Sequence, residues 1–260
     1  MRTLGLATAT LITVLLSTTS FAHARGLSAQ RPAGFSAESL LRLHETRQRL
    51  NQMQAETSAP SALASKKDWK DANWNRVPVI QPQDLQARFQ LIRDEKILKD
   101  SQNRSRRLTW LYPDDGCYAR AELAARLLQS KGAAAPAKIF AFGGLAVNTP
   151  NHPDGMVSWW YHVAPIVRVG TEYYVYDPAI EPQRPLKAQE WLKIMNAPEA
   201  QISICSTNSY DPDSPCETTR SYEQSARGDE TNFLSMEWTR LQYLGRSPEA
   251  ELGERPPWKK

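Results

Sequence analysis

The sequence predicts an α+β fold in which a helix carrying a candidate nucleophile packs on a small antiparallel sheet, with additional N- and C-terminal helices. Three observations predict it. Turn chemistry at Pro113-Asp114-Asp115-Gly116 leads into a helical stretch that begins on Cys117. Apolar alternation downstream reads as short strands, two of them joined by Gly170-Thr171. Stripes of helical period flank this block on both sides.

Taken in order, residues 25–35 read as a flexible leader. Behind Ser36, a suitable N-cap, Leu40, Leu43, Leu50 and Met53 fall near one stripe and predict an amphipathic helix over 36–56. Residues 57–82, with Pro60, Pro78, Pro82, Trp69 and Trp74, read as a linker. A second helix is predicted over 84–99, with Leu85, Phe89 and Ile92 on one side. Residues 25–105 thus form a helical N-terminal region, distinct in texture from 106–260. The next helix spans 117–130, burying Tyr118, Ala121, Ala124, Ala125 and Leu128, and Lys131-Gly132 stops it. Residues 137–142 predict a strand, and 143–158, with Gly, Asn and Pro throughout, a long loop and candidate lid. Strands follow over 159–169 and 172–177, and Gly at the first loop position fits a type II′ hairpin. A last helix is predicted over 230–244, with Phe233, Met236 and Leu241 apolar, and 255–260 as a poorly ordered tail.

Composition is that of an ordinary globular chain: 41% hydrophobic, 23% charged, net charge +4 over 260 residues. No dense basic stripe interleaved with aromatics supports nucleic-acid binding, and Arg104-Ser105-Arg106-Arg107 reads as a solvated loop or helix end. Residues 1–24 read as a cleavable signal peptide: Arg2, an apolar run over 11–16, and Ala22-His23-Ala24 as an A-x-A site. No other segment is long and apolar enough to predict stable membrane insertion. The expected location is therefore secreted or periplasmic, where cysteines tend to pair. Cys205 and Cys216 bracket a short turn-rich loop and are the expected disulfide. Cys117 is then an odd thiol, either a small buried hydrophobe or a reactive group.

The hairpin carries a register argument. With Gly170-Thr171 as the loop, Val169 faces Glu172 and Ala164 faces Asp177. His162, two residues before Ala164, shares its face and becomes a diagonal neighbour of Asp177. A thiol at a helix N-terminus, a histidine in reach and a carboxylate to orient it are the parts of an acyl-transferring thiol enzyme. The candidate catalytic residues are therefore Cys117, His162 and Asp177. Singly, His162 also reads as a core histidine and Asp177 as a strand-ending turn residue. Asp114 and Asp115 either bind a substrate amide or favour the helix dipole, and Trp159, Trp160 and Tyr161 either wall a substrate slot or fill the core. Only His44, His152 and His162 remain after signal removal, with no C-x-x-C or H-x-x-x-H spacing, which argues against a zinc site. His152 reads as a lid or surface residue.

Asp115-Gly116-Cys117-Tyr118-Ala119-Arg120-Ala121, Tyr161-His162-Val163-Ala164-Pro165 and Tyr176-Asp177-Pro178 resemble the bacterial protein-glutaminase (protein-glutamine deamidase) domain, which has a transglutaminase- and papain-like Cys-His-Asp core. The resemblance covers roughly 108–192 and departs at Glu122, where known members carry a His or similar residue. It implies Cys117 as nucleophile, His162 as base and Asp177 as orienting carboxylate. The implied reaction releases ammonia from glutamine side chains of proteins or peptides, with no metal or organic cofactor. It further implies that 25–105 is either a removable pro-segment, with Arg104–Arg107 as a candidate processing site, or a permanent subdomain. Transfer of the acyl group to an amine, peptide-bond cleavage, and a catalytically silent binding domain remain alternatives, and oligomeric state is not readable.

Overall fold

A computed structural model describes residues 59–253 and 255–258. The expected signal peptide, leader and helix over 36–56 lie outside the described residues. The fold is α+β. Its sheet has five antiparallel strands in the order β6-β5-β4-β3-β7, formed by β3 (Ala137–Asn148), β4 (Met156–Val169), β5 (Glu172–Val175), β6 (Leu186–Lys187) and β7 (Gln201–Cys205). A small separate ladder pairs β1 (Leu98–Lys99) with β2 (Ser105–Arg106). The helices are α1 (Pro82–Asp94), α2 (Cys117–Ser130), α3 (Ala188–Ile194), α4 (Glu223–Tyr243) and α5 (Pro248–Leu252).

The sheet separates two apolar layers. Phe140, Phe142, Val163 and Val167 pack on one face with α2 residues Ala121, Leu123, Ala124 and Leu128. Ile139, Ala141, Ala164, Ile166 and Val175 pack on the other with Trp191 and Leu192 of α3. Helix α2 has the predicted bounds because each end carries its own stop. Gly116 enters it at φ 85, where a Cβ would meet Phe233 at 2.9 Å. At the far end Gly132 has φ 77 and donates to the Gln129 carbonyl, while Ala133 donates to that of Leu128. That is the Schellman pattern. The predicted stripe of α2 is buried, and so is nearly every other position, which makes it a central helix. Glu122 accepts from Lys138 Nζ at 2.6 Å and from Arg126, so the departure from the family pattern is absorbed as a buried ion pair.

The β4–β5 hairpin has the predicted register, with Val169 opposite Glu172 and Ile166 opposite Val175. Gly170 has φ 59 while Thr171 does not have positive φ, as a type II′ loop requires. Several other expectations are corrected. The lid over 143–158 does not exist: β3 runs to Asn148, β4 starts at Met156, and only a turn separates them. Gly143-Gly144 forms a bulge opposite Trp160, because the ladder shifts between Phe142 and Leu145. Arg240 and Arg246 both hold Asn151 in that turn. Helix α1 ends at Asp94, and α4 begins at Glu223, where Ala226 is buried and Arg227 pairs with Glu223. Strand β5 stops at Val175, two residues short of the expected end. The 104–107 run is not a solvated loop: Arg106 is buried, and both it and Arg104 bind the Asp100 carboxylate. Residues 255–257 are held through their carbonyls by Arg106, Arg104 and Ser101 rather than forming a free tail.

The stretch read as a linker lines the sheet. Lys67 pairs with Ile202 on the outer edge of β7, and Val79 pairs with Arg168 where β3 has not yet begun. Both contacts occupy edges that would otherwise expose unpaired backbone. Phe89 and Ile92 of α1 are fully buried in the layer that holds α2. Truncating Phe89 to Ala should cost about 3–5 kcal/mol, measured by urea unfolding of the whole protein. A loss under about 1 kcal/mol would mean that α1 does not share this core.

Candidate active site

The site lies where β4 and β5 part. Tyr176 N–H donates to the Pro165 carbonyl at 2.9 Å, but Pro165 has no N–H to return the bond. Regular pairing ends there, and Asp177 turns inward ahead of Pro178. His162 Nε2 and Asp177 Oδ2 are 2.7 Å apart, with the two residues 1% and 5% exposed. Trp191 Nε1 donates to the same oxygen at 2.8 Å. The Trp159 ring stacks on His162 with centroids 4.6 Å apart, and Trp159 Nε1 donates to the Pro113 carbonyl. The imidazole is thus fixed by a carboxylate, a stacked indole and a second indole behind the carboxylate.

Cys117 starts α2 and reaches this imidazole from the opposite sheet face. Cys117, Arg120, His162, Tyr176 and Asp177 line one cavity of about 10 Å³. Cys117 also lies on a second, open cleft of about 360 Å³, shared with Asp114, Asp115, Trp159, Trp160 and Tyr161. Every site residue expected from sequence therefore borders one of two adjoining spaces that meet at one sulfur. Trp160, opposite the β3 bulge, is more than half exposed at the cleft mouth. Asp114 is held by both Nη atoms of Arg240, and Asp115 Oδ1 accepts the Gly116 N–H. His152 Nε2 stands 3.4 Å from Asp114 Oδ1 in the 149–155 turn. Cys205 and Cys216 form a disulfide, and Cys117 is free.

Electrostatics favour a charged pair. Burial opposes charge on His162, but the Asp177 carboxylate, by proximity and hydrogen bond, outweighs it, and Cys117 adds to the effect. Its pKa rises from 6.5 to about 9. Burial likewise opposes charge on Asp177, and His162, the Trp191 N–H and Arg120 together hold it below its ordinary 3.8. A carboxylate only accepts, so Nε2 carries its proton toward Asp177 and Nδ1 is the nitrogen left for the thiol. Nδ1 has no other hydrogen-bond partner among the described residues. No cluster of His, Cys, Asp and Glu among the described residues could hold a metal.

A thiol, an imidazole and a carboxylate in this order are the groups that cysteine-dependent acyl transfer requires. Residues 85–195, which contain all three and Trp191, match the family model described as Glutaminase. The chain is 23% identical to a crystal structure of protein-glutaminase, covering 66% of this chain and 91% of that one with a TM-score of 0.44. It is 26% identical to the NMR structure of protein-glutaminase from Chryseobacterium proteolyticum, covering 51% and 75% with a TM-score of 0.42. Against a mutant of pro-protein-glutaminase the identity is 26%, the coverage 53% and 51%, and the TM-score 0.43, so the chain spans about half the length of that pro-form. No curated protein matches. The segment from α1 to α3 is glutaminase-like in sequence.

Sequence reasoning missed Trp191 and the grip of Arg120. A lone Trp in a short amphipathic helix carries no signal beyond core packing. Arg120 does leave one, a charge on the buried side of a helix. The pair's pKa shifts set a pH window. The His162 value rises on folding, so its contribution is complete below about pH 6.5 and fades as pH rises through 9. The Asp177 value falls on folding, so its contribution is present above about pH 4 and is lost on acidification. The stability difference between wild type and Asp177→Asn should therefore form a plateau of roughly 3 kcal/mol between about pH 4 and 6.5. It should shrink toward pH 9 in denaturant titrations, and a difference that widens between pH 7 and 9 contradicts the charge assignment.

Proposed function

We infer that the protein is an exported protein-glutamine deamidase, with Cys117 as nucleophile, His162 as acid and base, and Asp177 as the orienting carboxylate. The observation that carries this reading is Cys117 at the start of α2, between an open cleft and a buried imidazole that a carboxylate holds. The glutaminase match over the same segment supports the choice of amide. A glutamine side chain of a protein or peptide enters between Trp159, Trp160 and Tyr161. With His162 Nδ1 holding the proton of Cys117, Sγ attacks the carboxamide carbon. The first N–H groups of a helix have no intrahelical acceptor, so the Cys117 N–H can bind the developing oxyanion. The C–N bond breaks, the nitrogen takes the proton from His162, and ammonia leaves. Water then gives a proton to His162 and its oxygen to the thioester carbon. The C–S bond breaks, and glutamate and the thiol are restored.

The candidate signal peptide over 1–24 and the Cys205–Cys216 disulfide support export. No helix among the described residues is long and apolar enough to cross a membrane. The packing of Phe89 and Ile92 of α1 in the core of α2 supports α1 as a permanent part of the enzyme. Incubation with a glutamine-containing protein should release ammonia stoichiometrically with new glutamate, without peptide cleavage or incorporation of an added amine. Cys117→Ala should reduce turnover to background with its unfolding midpoint nearly unchanged. Residual turnover above ~1% in that variant rejects the thioester route.

A further inference from the structure

Arg120 is 2% exposed and sits one helical turn after Cys117. Burying a guanidinium is costly unless it is fully paired, and this one is only half paired. Nη1 donates to the carbonyls of Thr109 (3.4 Å), Tyr112 (3.2 Å) and Asp115 (2.8 Å), all on the turn that runs into Gly116. Nη2 is buried with no hydrogen-bond partner among the described residues. The side chain lines the same small cavity as Cys117, His162 and Asp177. The groups facing Arg120 are Asp177 after β5, Glu230 and Glu237 on α4, and the Tyr112 phenol on the turn. Glu230 lies 4.0 Å away and spends its oxygens on the Thr109 N–H and hydroxyl. No carboxylate is within hydrogen-bond distance of Nη2.

Gly116, at φ 85, lies directly against this guanidinium. A Cβ there would sit 3.0 Å from Arg120 Nη1. The guanidinium therefore packs against the peptide that sets the direction of the Cys117 N–H. We propose that Arg120 is a positioning residue for the reaction: its Nη1 gathers the turn carbonyls so that the Cys117 N–H and Sγ both face the cleft, and its remaining charge biases the buried His162–Asp177 pair. This rests on the thiol amidohydrolase reading, but one measurement tests it without turnover.

Arg120→Lys keeps the charge and loses the fork, whereas Arg120→Met loses both. Steady-state ammonia release, the pH dependence of Cys117 alkylation by iodoacetamide, and the thermal midpoint would be measured for both variants and wild type. Loss of one oxyanion donor typically lowers kcat by ~10²–10³-fold. Arg120→Lys should therefore lower kcat at least ~10-fold, with KM within ~2-fold and the alkylation profile unmoved. Arg120→Met should lower kcat further and shift the profile. If Arg120→Met fails to fold, Arg120→Lys alone decides through its kcat-to-KM split. Folded variants with wild-type kcat, or losses of kcat matched by KM, overturn the proposal. Should wild type release no ammonia, the deamidase reading fails alone. An alkylation profile identical in wild type and folded Arg120→Met then overturns the role of Arg120 independently.

Discussion

The register of the β4–β5 hairpin is the constraint on which the site depends. A two-residue loop leaves no slack, so Val169 must face Glu172 and every later pair follows. His162 then falls on the Asp177 side of the sheet. The hairpin also has to open, because a fully paired strand would carry Asp177 past His162 with no room for a third group. Pro165 supplies the opening by withholding one N–H. Beyond it, the β5 side of β4 is left for the start of α2. A slip of one residue would send His162 into the Phe140–Phe142 layer and Asp177 away from Trp191, with no intermediate arrangement available.

The second requirement is a helix whose start is polar and whose body is buried. Helix α2 meets it by matching each buried charge with a partner from a different element. Glu122 meets Lys138 from β3. Arg120 meets the 109–115 carbonyls and stands near Glu230 of α4. Burial, opposed by Arg120 and the Thr109 donors, leaves Glu230 with a pKa of about 7. Buried polar groups of this kind are destabilising when one member is lost. They tie α2 to the sheet, to the preceding turn and to α4 at once, which is what holds Cys117 steady at the helix start.

Local signals were legible and distant ones were not. The bounds of α2 could be read because Gly116 and Lys131-Gly132 act within a few residues of the helix ends. The His162–Asp177 neighbourhood could be read because a tight turn transmits register over a short span. The bulge at Gly143-Gly144 was hidden, since paired glycines signal a loop as strongly as a bulge. Leu145 and Val147 did alternate, and both are buried in the layer beneath α3. The stretch 59–82 looked like a linker because its pairing partners, Ile202 and Arg168, lie far along the chain. Trp191 was invisible for the same reason: its role is defined by Asp177, a neighbour only after folding.

A disulfide and a free thiol coexist in one chain although both lie in the layer that holds α2. Cys205 stands opposite Lys138 on β3, and Lys138 stands opposite Pro165 on β4. Two strand spacings, about 10 Å, therefore lie between the disulfide and the β4 residues beside the site. Cys117 borders the same cavity as β4 residues Val163, Ala164 and Pro165, so it is offset from the disulfide along the sheet face. Thiol–disulfide exchange needs the attacking sulfur in contact with the bond, and that lateral offset is longer than a cysteine side chain reaches. The strand spacing thus keeps Cys117 apart from the protein's own cystine. Solvent approaches Cys117 through the cleft. There the flanking Trp159 and Tyr161 leave the residue only 7% exposed, and access to the sulfur is confined to groups narrow enough to pass between aromatic walls.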